Sequence, residues 1–287
     1  MILFVLPAYN EGEGIARLLG LLADRMKDQR LDYRVLLVDD GSSDDTLAEA
    51  RAFLERMPLT IIHHERNRGL GVAIWTGLSS AVAEASDDDV IITMDADCSH
   101  DPILAGPLAD AVRTGSCEVA IASRFVEGGA EVGVPFHRKI LSRGAGLIFR
   151  TLFPTSHVRD YSCGYRAYRA STLRRGLEAY GRGFIVESGF GCMVEILVKL
   201  RALGAKFGEV PLVLRYDQKL GASKMRIVRT VVRYGMFILR AMTLPKLPER
   251  QSVIRLTADA PEPDALAVPG PEDTMVESSL SRESSHT

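Results

Sequence analysis

The chain has 287 residues, of which 46% are hydrophobic and 25% charged, and this composition excludes a protein that is disordered over most of its length. Its 35 lysines and arginines and 37 aspartates and glutamates leave a formal net charge of −2, which argues against a general nucleic-acid-binding protein. The 4 cysteines include no C-x-x-C pair, so free buried thiols are expected rather than a structural zinc site or a disulfide scaffold.

The first half of the chain alternates apolar, strand-like runs with helical patterns. Strands are predicted at residues 2–6, 33–38, 59–62, 90–94 and 118–122, and helices near 12–28, 44–57, 70–86 and 101–113. This alternation is typical of βαβ units and predicts an α/β fold with a mostly parallel sheet and helices on both faces. Ligands of such sheets bind outside the carboxyl ends of the strands. Polar clusters follow the first four predicted strands at 7–12, 39–46, 67–71 and 95–101.

No targeting or membrane-spanning segment is expected. The apolar run at 1–7 lacks a basic region and continues directly into a polar loop, so it predicts a strand rather than a signal peptide. No uncharged stretch reaches the roughly 18 residues of a transmembrane helix. The sequence therefore predicts a soluble or peripheral protein.

Residues 124–182 carry a local excess of positive charge. Eleven lysines and arginines stand against four acidic residues in this segment, which predicts an anionic ligand. Beyond it, the pattern predicts a helix over 187–203, a strand over 207–214 and a polar loop over 217–224.

The segment 226–244 is a candidate amphipathic helix. At about 100° per residue its four arginines share one narrow stripe, and most of the remaining surface is apolar. Two interpretations stay open: a helix in the membrane interface with its arginines on anionic head groups, or a helix packed on the domain or on another copy of the chain. The tail, 246–287, is rich in proline, serine and acidic residues and is predicted to be disordered.

Asp95-Ala96-Asp97 directly follows a buried strand. Carboxylate oxygens suit Mg²⁺ or Mn²⁺, which are commonly shared between a protein and substrate phosphates. The alternative is a turn or a cap for the helix that opens at Asp101.

The clusters after the first three strands are candidate nucleotide-binding loops. Asp39 and Asp40 end the second strand, where a base or ribose hydroxyls need acceptors, while later residues of that loop are explained as helix caps. Asn10 is a possible cap for the first helix. The glycines at 67–71 suit close backbone approach to a phosphate. His63 and His64 are predicted to be structural or exposed, and His100 is the histidine nearest the acid pair.

Several common catalytic motifs are missing. The sequence contains no Walker A motif, no G-x-S-x-G, no H-E-x-x-H and no G-x-G-x-x-G after a strand, so hydrolases and P-loop kinases lose their expected signatures.

The ordered motifs resemble those of glycosyltransferase family 2, whose members use nucleotide sugars. The segments that carry this resemblance are PAYNEG (7–12), VDDGSSDDT (38–46), NRGLGVA (67–73), MDADCSHDP (94–102) and ASRFVEGG (122–129). Three later segments resemble, more narrowly, the polyprenyl-phosphate mannosyltransferases: RDYSCGYRAYR (159–169), LGAKFGEVPLVL (203–214) and LGASKM (220–225). The resemblance covers residues 1–245.

The resemblance implies a GT-A type, Rossmann-like domain over 1–225, followed by the amphipathic helix at 226–245 and the disordered tail. It implies a nucleotide-sugar site formed by Pro7, Tyr9, Glu11, Asp39, Asp40, Asp95 and Ala96. A Mg²⁺ or Mn²⁺ cofactor would be held by Asp95, Asp97 and Ser99, although the family often has glutamine at the position of Ser99. The residues that would bind the acceptor phosphate are Arg124, Arg138, Ser142 and Lys224. The three basic residues, Arg124, Arg138 and Lys224, would act in catalysis together with Asp97. One family arginine is Gln218 here, and whether Lys219 or Arg215 replaces it stays open.

The implied reaction is an inverting, metal-dependent transfer of a hexose to a polyprenyl phosphate, most often mannose from GDP-mannose. A phosphate acceptor is largely a dianion at neutral pH and needs no general base. The implied partners are a nucleoside diphosphate sugar, the lipid phosphate and a membrane surface contacted through 226–244, with no nucleic acid, and the implied location is the cytoplasmic face of a membrane.

Alternative functions remain. A UDP-glucose-dependent lipid-phosphate glucosyltransferase would share these motifs. A transferase with a polysaccharide acceptor would need a carboxylate base, for which Asp160 and Glu187 are candidates. A non-catalytic nucleotide-sugar-binding scaffold would not need the intact acid pair, and a nucleotidyltransferase would have a glycine-rich, basic loop where this chain has PAYNEG.

Overall fold

The computed structural model describes residues 1–218, Gly235 and residues 274–278. The helices are α1 Gly12–Asp28, α2 Thr46–Arg51, α3 Leu70–Glu84, α4 Ala105–Arg113, α5 Phe136–Leu152, α6 Ala170–Tyr180 and α7 Gly191–Ala202. The strands are β1 Ile2–Ala8, β2 Tyr33–Asp39, β3 Leu59–His64, β4 Val90–Thr93, β5 Val119–Ser123, β6 Ala130–Val132, β7 Arg166–Arg169, β8 Phe207–Pro211, β9 Val213–Arg215 and β10 Thr274–Ser278.

The main sheet has eight strands in the order β10-β3-β2-β1-β4-β7-β5-β8, and β6 pairs with β9 in a small second sheet. β3, β2, β1 and β4 run parallel, β7 is inserted antiparallel between β4 and β5, and β8 is again parallel to β5. Every residue of β1 is buried, which requires cover on both faces of the sheet. The predicted mostly parallel α/β fold is confirmed.

The boundaries differ from prediction where a local signal or a tertiary contact decides them. α2 ends at Arg51 rather than 57, and Pro58 disfavours helical geometry just before it. α7 begins at Gly191 rather than 187. β1 extends to Ala8, so Pro7 lies within the strand rather than in the following loop. The four cysteines are free and buried, as predicted.

The prediction that the whole tail is disordered is wrong for Thr274–Ser278, which form β10. This strand pairs antiparallel with β3, so that Thr274 lies opposite His64. The guanidinium of Arg51 donates to the carboxylate of Glu277, with Nε 3.0 Å from Oε1. An edge strand presents unpaired backbone groups, and β10 forms hydrogen bonds with those of β3. The composition of the tail does not reveal this pairing. Apart from Gly235, the helix predicted at 226–244 lies outside the described residues.

None of the helices in the described part of the chain combines the length and the apolar character needed to cross a lipid bilayer.

Replacing Gly77 by alanine is expected to lower the free energy of unfolding by about 1–3 kcal/mol. An added Cβ would lie 2.3 Å from Cγ1 of Val5 and 3.1 Å from Cγ2 of Val38, because α3 packs closely on β1 and β2. Gly144→Ala is the matched control, since an added Cβ there meets no atom within 4 Å. Urea unfolding of both variants checks this, and equal stabilities would contradict the close helix–sheet contact.

Candidate active site

The candidate loops meet at one edge of the sheet. The strand order reverses between β1 and β4, with β2 and β3 on one side and β7 and β5 on the other. A crevice forms outside the carboxyl ends of parallel strands at such a switch point. Residues 9–11 follow β1 and residues 95–99 follow β4, so both loops border this crevice.

Asp95 and Asp97 lie half-buried at the switch point. The Asp95 carboxylate packs against Gly164, where an added Cβ would be only 2.8 Å from Asp95 Oδ1. Asp97 Oδ1 accepts hydrogen bonds from the backbone N–H and the hydroxyl of Ser99, at 3.1 and 2.5 Å. Ser99 is itself buried, so its clearest role is to orient Asp97.

The donor atoms at this point fit a hard divalent cation. In the part of the chain described, no group of three or more His, Cys, Asp or Glu side chains could hold a metal ion, so two carboxylates would leave most coordination positions to diphosphate and water, as is usual for Mg²⁺. Ala96, between the two acids, is buried. The capping role belongs to Asp101, whose Oδ1 accepts the N–H of Ile103 at 3.0 Å. Helix capping therefore does not account for Asp95 and Asp97.

Asp39 ends β2 with its side chain fully buried. Its Oδ2 is 2.7 Å from Nδ1 of His63, and its Oδ1 accepts the backbone N–H of Ser42 at 3.2 Å. The parallel register of β2 and β3 places Asp39 directly opposite His63, which is why the two side chains meet.

Asp40 holds the start of α3 in place. Its two carboxylate oxygens accept the backbone N–H groups of Arg68 and Gly69 at 3.0 and 2.8 Å, and Oδ1 also lies 2.8 Å from Nδ1 of His64. The other ring nitrogen of His64 is 3.1 Å from Thr76 Oγ1. Asp40 is buried and hydrogen-bonded within the protein, so its geometry is that of a loop anchor.

Asn10 joins the first two loops. Its backbone N–H donates to Ser42 Oγ at 2.9 Å, and its Oδ1 accepts the N–H of Ser43 at 2.8 Å. The prediction that Asn10 caps α1 is wrong, because Glu11 occupies the cap position and no side chain caps the helix. Tyr9 and Glu11 lie half-buried on either side of Asn10 at the crevice.

The glycines at 67–71 approach protein backbone. An added Cβ on Gly71 would lie 1.8 Å from the carbonyl oxygen of Glu187, and the Gly71 N–H donates to the carbonyl of Ser188 at 3.2 Å. Gly69 has φ +96°, and its added Cβ would be 2.5 Å from the same Ser188 carbonyl. The small size of these glycines, which was expected to let the backbone approach a phosphate, lets the segment before α7 pack closely against the start of α3.

Arg124 directly follows β5 and is held by Asp160. Its Nε and Nη2 donate to the two Asp160 oxygens at 2.7 and 2.8 Å, and Nη2 also donates to Ser162 Oγ at 2.8 Å. Its Nη1 lies 3.5 Å from Oε1 of Glu131, and the guanidinium carbon stands 4.9 Å from the centre of the Phe125 ring. Most of the hydrogen-bonding capacity of Arg124 is thus committed within the protein.

The Arg124–Asp160 pair is ionised. Burial by itself would raise the pKa of Asp160, but the charge and hydrogen bonds of Arg124 outweigh it and hold this pKa below its usual value. Burial would likewise lower the pKa of Arg124, and the attraction of Asp160 raises it instead. A general base for a sugar hydroxyl must be free to accept a proton. Asp160, considered above as such a base, is fully buried in this ion pair, and that assignment is wrong.

Arg138 and Ser142 lie one turn apart on α5, both half-buried. Arg138 Nη1 donates to the Tyr216 hydroxyl at 2.8 Å, and its guanidinium stands over the Tyr216 ring at 5.6 Å from the centroid. Tyr216 was missed by the motif analysis, since it lies outside the quoted signatures. Lys224 lies outside the described residues.

The last residue of β9 contacts the loop that carries the acid pair. The backbone N–H of Arg215 donates to the carbonyl of Ser99 at 3.1 Å. The Arg215 side chain donates from Nε and Nη2 to the Asp217 carboxylate at 2.9 and 2.8 Å. Arg215 is therefore paired with the residue next to Gln218, and Lys219 lies outside the described residues.

Arg166 is a second residue that motif reasoning missed as a site-forming group. It is fully buried, and its guanidinium donates to the carbonyl oxygens of Tyr161, Cys163 and Met193 at 2.7, 2.8 and 2.7 Å. The loop it holds carries Asp160 and Gly164, which contact Arg124 and Asp95.

The comparisons with known proteins identify a family. The model of glycosyl transferase family 2 matches residues 3–177. The chain is 35% identical over 82% of its length to the undecaprenyl-phosphate mannosyltransferase of Micrococcus luteus, of which it covers 94%. It is 32% identical over 78% of its length to the polyprenol monophosphomannose synthase of Mycolicibacterium smegmatis, covering 80% of that enzyme. It is 31% identical over 83% of its length to the dolichol-phosphate mannosyltransferase of Pyrococcus furiosus, but spans only 62% of that longer protein.

Solved structures show the same fold. Glucosyl-3-phosphoglycerate synthase from Mycobacterium tuberculosis, crystallised with Mn²⁺, UDP and phosphoglyceric acid, matches with a TM-score of 0.59 at 20% identity, over 84% of this chain and 77% of that one. A crystal of the same enzyme with Mg²⁺ and UDP matches with a TM-score of 0.57 at 19% identity, over 84% and 78% of the two chains. At this identity the likeness concerns the GT-A type fold.

Replacing Asp160 by asparagine is expected to lower the free energy of unfolding by about 3–5 kcal/mol at neutral pH, because the buried Arg124 guanidinium loses its anionic partner. The pKa of Asp160 is lower in the folded state than in the unfolded state. The contribution of Asp160 to the free energy of unfolding is therefore complete above the unfolded-state pKa of about 3.9 and is lost as the pH falls through the folded-state pKa. Urea unfolding at several pH values checks both statements.

The double variant Arg124→Gln/Asp160→Asn is the control for this measurement. It removes both charges together and should recover a large part of the loss. A single Asp160→Asn variant as stable as the native chain would contradict the buried ion pair.

Proposed function

The chain belongs to glycosyltransferase family 2, and we propose that it transfers a mannosyl group from GDP-mannose to a polyprenyl phosphate, with inversion at the anomeric carbon and with Mg²⁺ or Mn²⁺. The observation that carries the proposal is the placement of the acid pair, Asp95 and Asp97, between two different groups of side chains. Polar loops after β1, β2 and β3 lie on one side, and Arg124, which follows β5, lies on the other. Arg138 binds Tyr216, which directly follows the residue of β9 that contacts Ser99. The relatives named for polyprenyl-phosphate mannosyl transfer share at least 31% of the aligned residues.

The proposed donor site lies on the β1–β3 side. Tyr9 and Glu11 border the crevice beside the nucleoside, and Asp39 contributes an acceptor-rich strand end whose geometry His63 fixes. Asp95 and Asp97 would hold the divalent cation, which neutralises the leaving diphosphate when it is bound. Ser99 keeps the Asp97 carboxylate in one orientation, so these oxygens need little reorganisation as charge develops.

The proposed acceptor site lies on the β5–α5 side. An oxygen of the lipid phosphate attacks the anomeric carbon, a carbon–oxygen bond forms there, and the bond to the diphosphate breaks with its electron pair leaving on the diphosphate. No proton is transferred, because the attacking phosphate is already an anion near neutral pH. Arg138 and Ser142, with Lys224, would bind the attacking phosphate. Arg124, braced by Asp160, would add positive potential beside it.

The runner-up acceptor, a sugar hydroxyl of a polysaccharide, needs a carboxylate base. Asp160 is committed to Arg124, which leaves Glu187 as the candidate base. Glu187 is buried and its backbone is packed against the start of α3. This arrangement supports the phosphate acceptor over the hydroxyl acceptor.

A transfer assay with purified full-length protein tests the proposal. GDP-mannose and UDP-glucose are each supplied with Mn²⁺ or Mg²⁺, with and without a polyprenyl phosphate, and acid-labile sugar in the organic phase is measured. The expected result is labelled lipid from GDP-mannose only when the lipid phosphate is present. Labelled lipid from UDP-glucose but not from GDP-mannose would contradict the proposed donor. Binding of the nucleotide sugar without any lipid product would contradict the proposed acceptor.

Replacing Asp97 by asparagine is expected to weaken Mn²⁺-dependent binding of the nucleotide sugar by at least about tenfold, because a hard cation loses one of two anionic ligands. Asp101→Asn is the matched control, since Asp101 lies in the same loop but caps the turn Pro102–Leu104. Titration calorimetry with and without Mn²⁺ measures both variants. Equal metal dependence in the native chain and the Asp97 variant would show that Asp97 does not bind the cation.

A further inference from the structure

At least five of the eleven basic residues in 124–182 bind other groups of the protein. Arg166 is buried among backbone carbonyls, and Arg124 is paired with Asp160. Three further arginines on β7 and α6 form ion pairs with acidic residues of neighbouring elements: Arg169 with Asp88, Arg174 with Asp87 and Arg175 with Glu118. These side chains are unavailable to an external anion.

Three other arginines of the segment converge on one cavity. Arg143 and Arg150 from α5 and Arg159 from the loop before β7 line a space of about 370 Å³. The other lining residues in the described part of the chain are Phe125, Gly146 and Leu147, and none of them is acidic. Within the described residues, Arg143 and Arg150 have no hydrogen-bond or ion-pair partner. Among the same residues, the side chain of Arg159 donates only to the carbonyl of Phe125, at 3.4 Å.

A larger cavity of about 1030 Å³ adjoins this one and shares Arg150 and Arg159. Glu127 and Glu209 line it as well, and Glu209 Oε1 accepts the backbone N–H of Arg159 at 2.8 Å. Among the described residues, Glu127 and Glu209 line the larger cavity but not the smaller one. An anion is therefore favoured in the smaller cavity, where the lining charges are all positive.

α5 beside the cavity has a strongly apolar surface. Phe136, Ile140, Leu147 and Ile148 are 78%, 55%, 63% and 50% exposed, respectively. The sequence of α5 contains no aspartate or glutamate. Apolar side chains flanked by cations on one exposed helix match a membrane interface with anionic head groups.

We propose that the cavity formed by Arg143, Arg150 and Arg159 binds the phosphate of an anionic membrane lipid, while the exposed apolar residues of α5 contact its acyl chains. The site differs from the proposed acceptor-phosphate group, because Arg138 and Ser142 face the domain and are half-buried, whereas these three arginines are exposed. Both groups lie on or beside the same helix. A lipid held in the cavity therefore orients the acceptor side toward the membrane surface, and this does not depend on which donor sugar is used.

Vesicle sedimentation with the full-length protein tests the site. Vesicles of phosphatidylcholine, alone or mixed with phosphatidylglycerol, are compared for the native chain and the triple variant Arg143→Gln/Arg150→Gln/Arg159→Gln. The expected result is at least about tenfold weaker binding of the variant to the anionic vesicles, since each basic residue contributes to attraction at such a surface. The control is Arg113→Gln/Arg182→Gln/Arg201→Gln, which removes the same charge from exposed positions away from the cavity and should retain native binding.

If both triple variants bind anionic vesicles equally well, the proposal is overturned. Inorganic phosphate separates the two sources of the anion: calorimetric binding of free phosphate to the native chain but not to the cavity variant, with vesicle binding unaffected, would identify a soluble phosphate ligand and contradict the lipid. Concentration-dependent dimers in sedimentation velocity, together with no preference for anionic vesicles, would assign the apolar face of α5 to a second copy instead.

A transfer assay in detergent separates this site from the acceptor site. With detergent-solubilised polyprenyl phosphate, the cavity variant is expected to keep the native KM for the acceptor within about twofold. A large rise in that KM would place the acceptor phosphate in this cavity and overturn the assignment to a separate lipid. Vesicle sedimentation does not depend on transferase activity, so it still tests the lipid-binding site if the proposed transferase activity is not found. Circular dichroism on unfolding confirms that both triple variants remain folded.

Discussion

One buried guanidinium organises the side of the crevice that we propose to hold the acceptor. Arg166 has no exposed surface, and its cost of desolvation, several kcal/mol for a buried ion, is offset by three short hydrogen bonds to main-chain carbonyls of the 161–163 loop and of α7. Hydrogen bonds to a charged group contribute about 1.5–3 kcal/mol each. Because β7 is inserted between β4 and β5, this loop reaches both neighbours: Asp160 binds Arg124 after β5, and Gly164 touches Asp95 after β4.

On the side proposed to bind the nucleoside, the acidic residues at the strand ends are hydrogen-bonded by neighbouring histidines and backbone amides. Asp39 meets His63 and Asp40 meets His64 because β2 and β3 are adjacent and parallel. Asp40 also fixes the first residues of α3. Charged oxygens that are already oriented lose little energy to reorganisation when a ligand arrives. Asp95 and Asp97, the acids proposed to bind the cation, lie between these two sides of the crevice.

Nine of the eleven basic residues in 124–182 fall into three groups with different physical tasks. Arg166, Arg169, Arg174 and Arg175 hold elements together. Arg124 and Arg138 are braced by Asp160 and Tyr216. Arg143, Arg150 and Arg159 face solvent around a cavity that has no acidic side chain among its described lining residues. A charge count over the segment cannot distinguish these tasks, since it ignores which cations have partners. The solvent-facing group lies beside the exposed apolar residues of α5, and together they form the surface that we propose to contact a membrane.

Sequence alone determined the alternation of strands and helices, the parallel sheet, the position of the acid pair at a strand end and the family, because these depend on periodicity and local motifs that are written in order along the chain. Tertiary structure decided the rest. β7 is antiparallel to its neighbours, and Thr274–Ser278 pair with the edge of β3. Asp160, a candidate base from the sequence, is the ion-pair partner of Arg124, and the glycines at 67–71 contact protein backbone. Each of these outcomes is a contact between residues distant in sequence, and composition and spacing do not reveal which buried group will satisfy which.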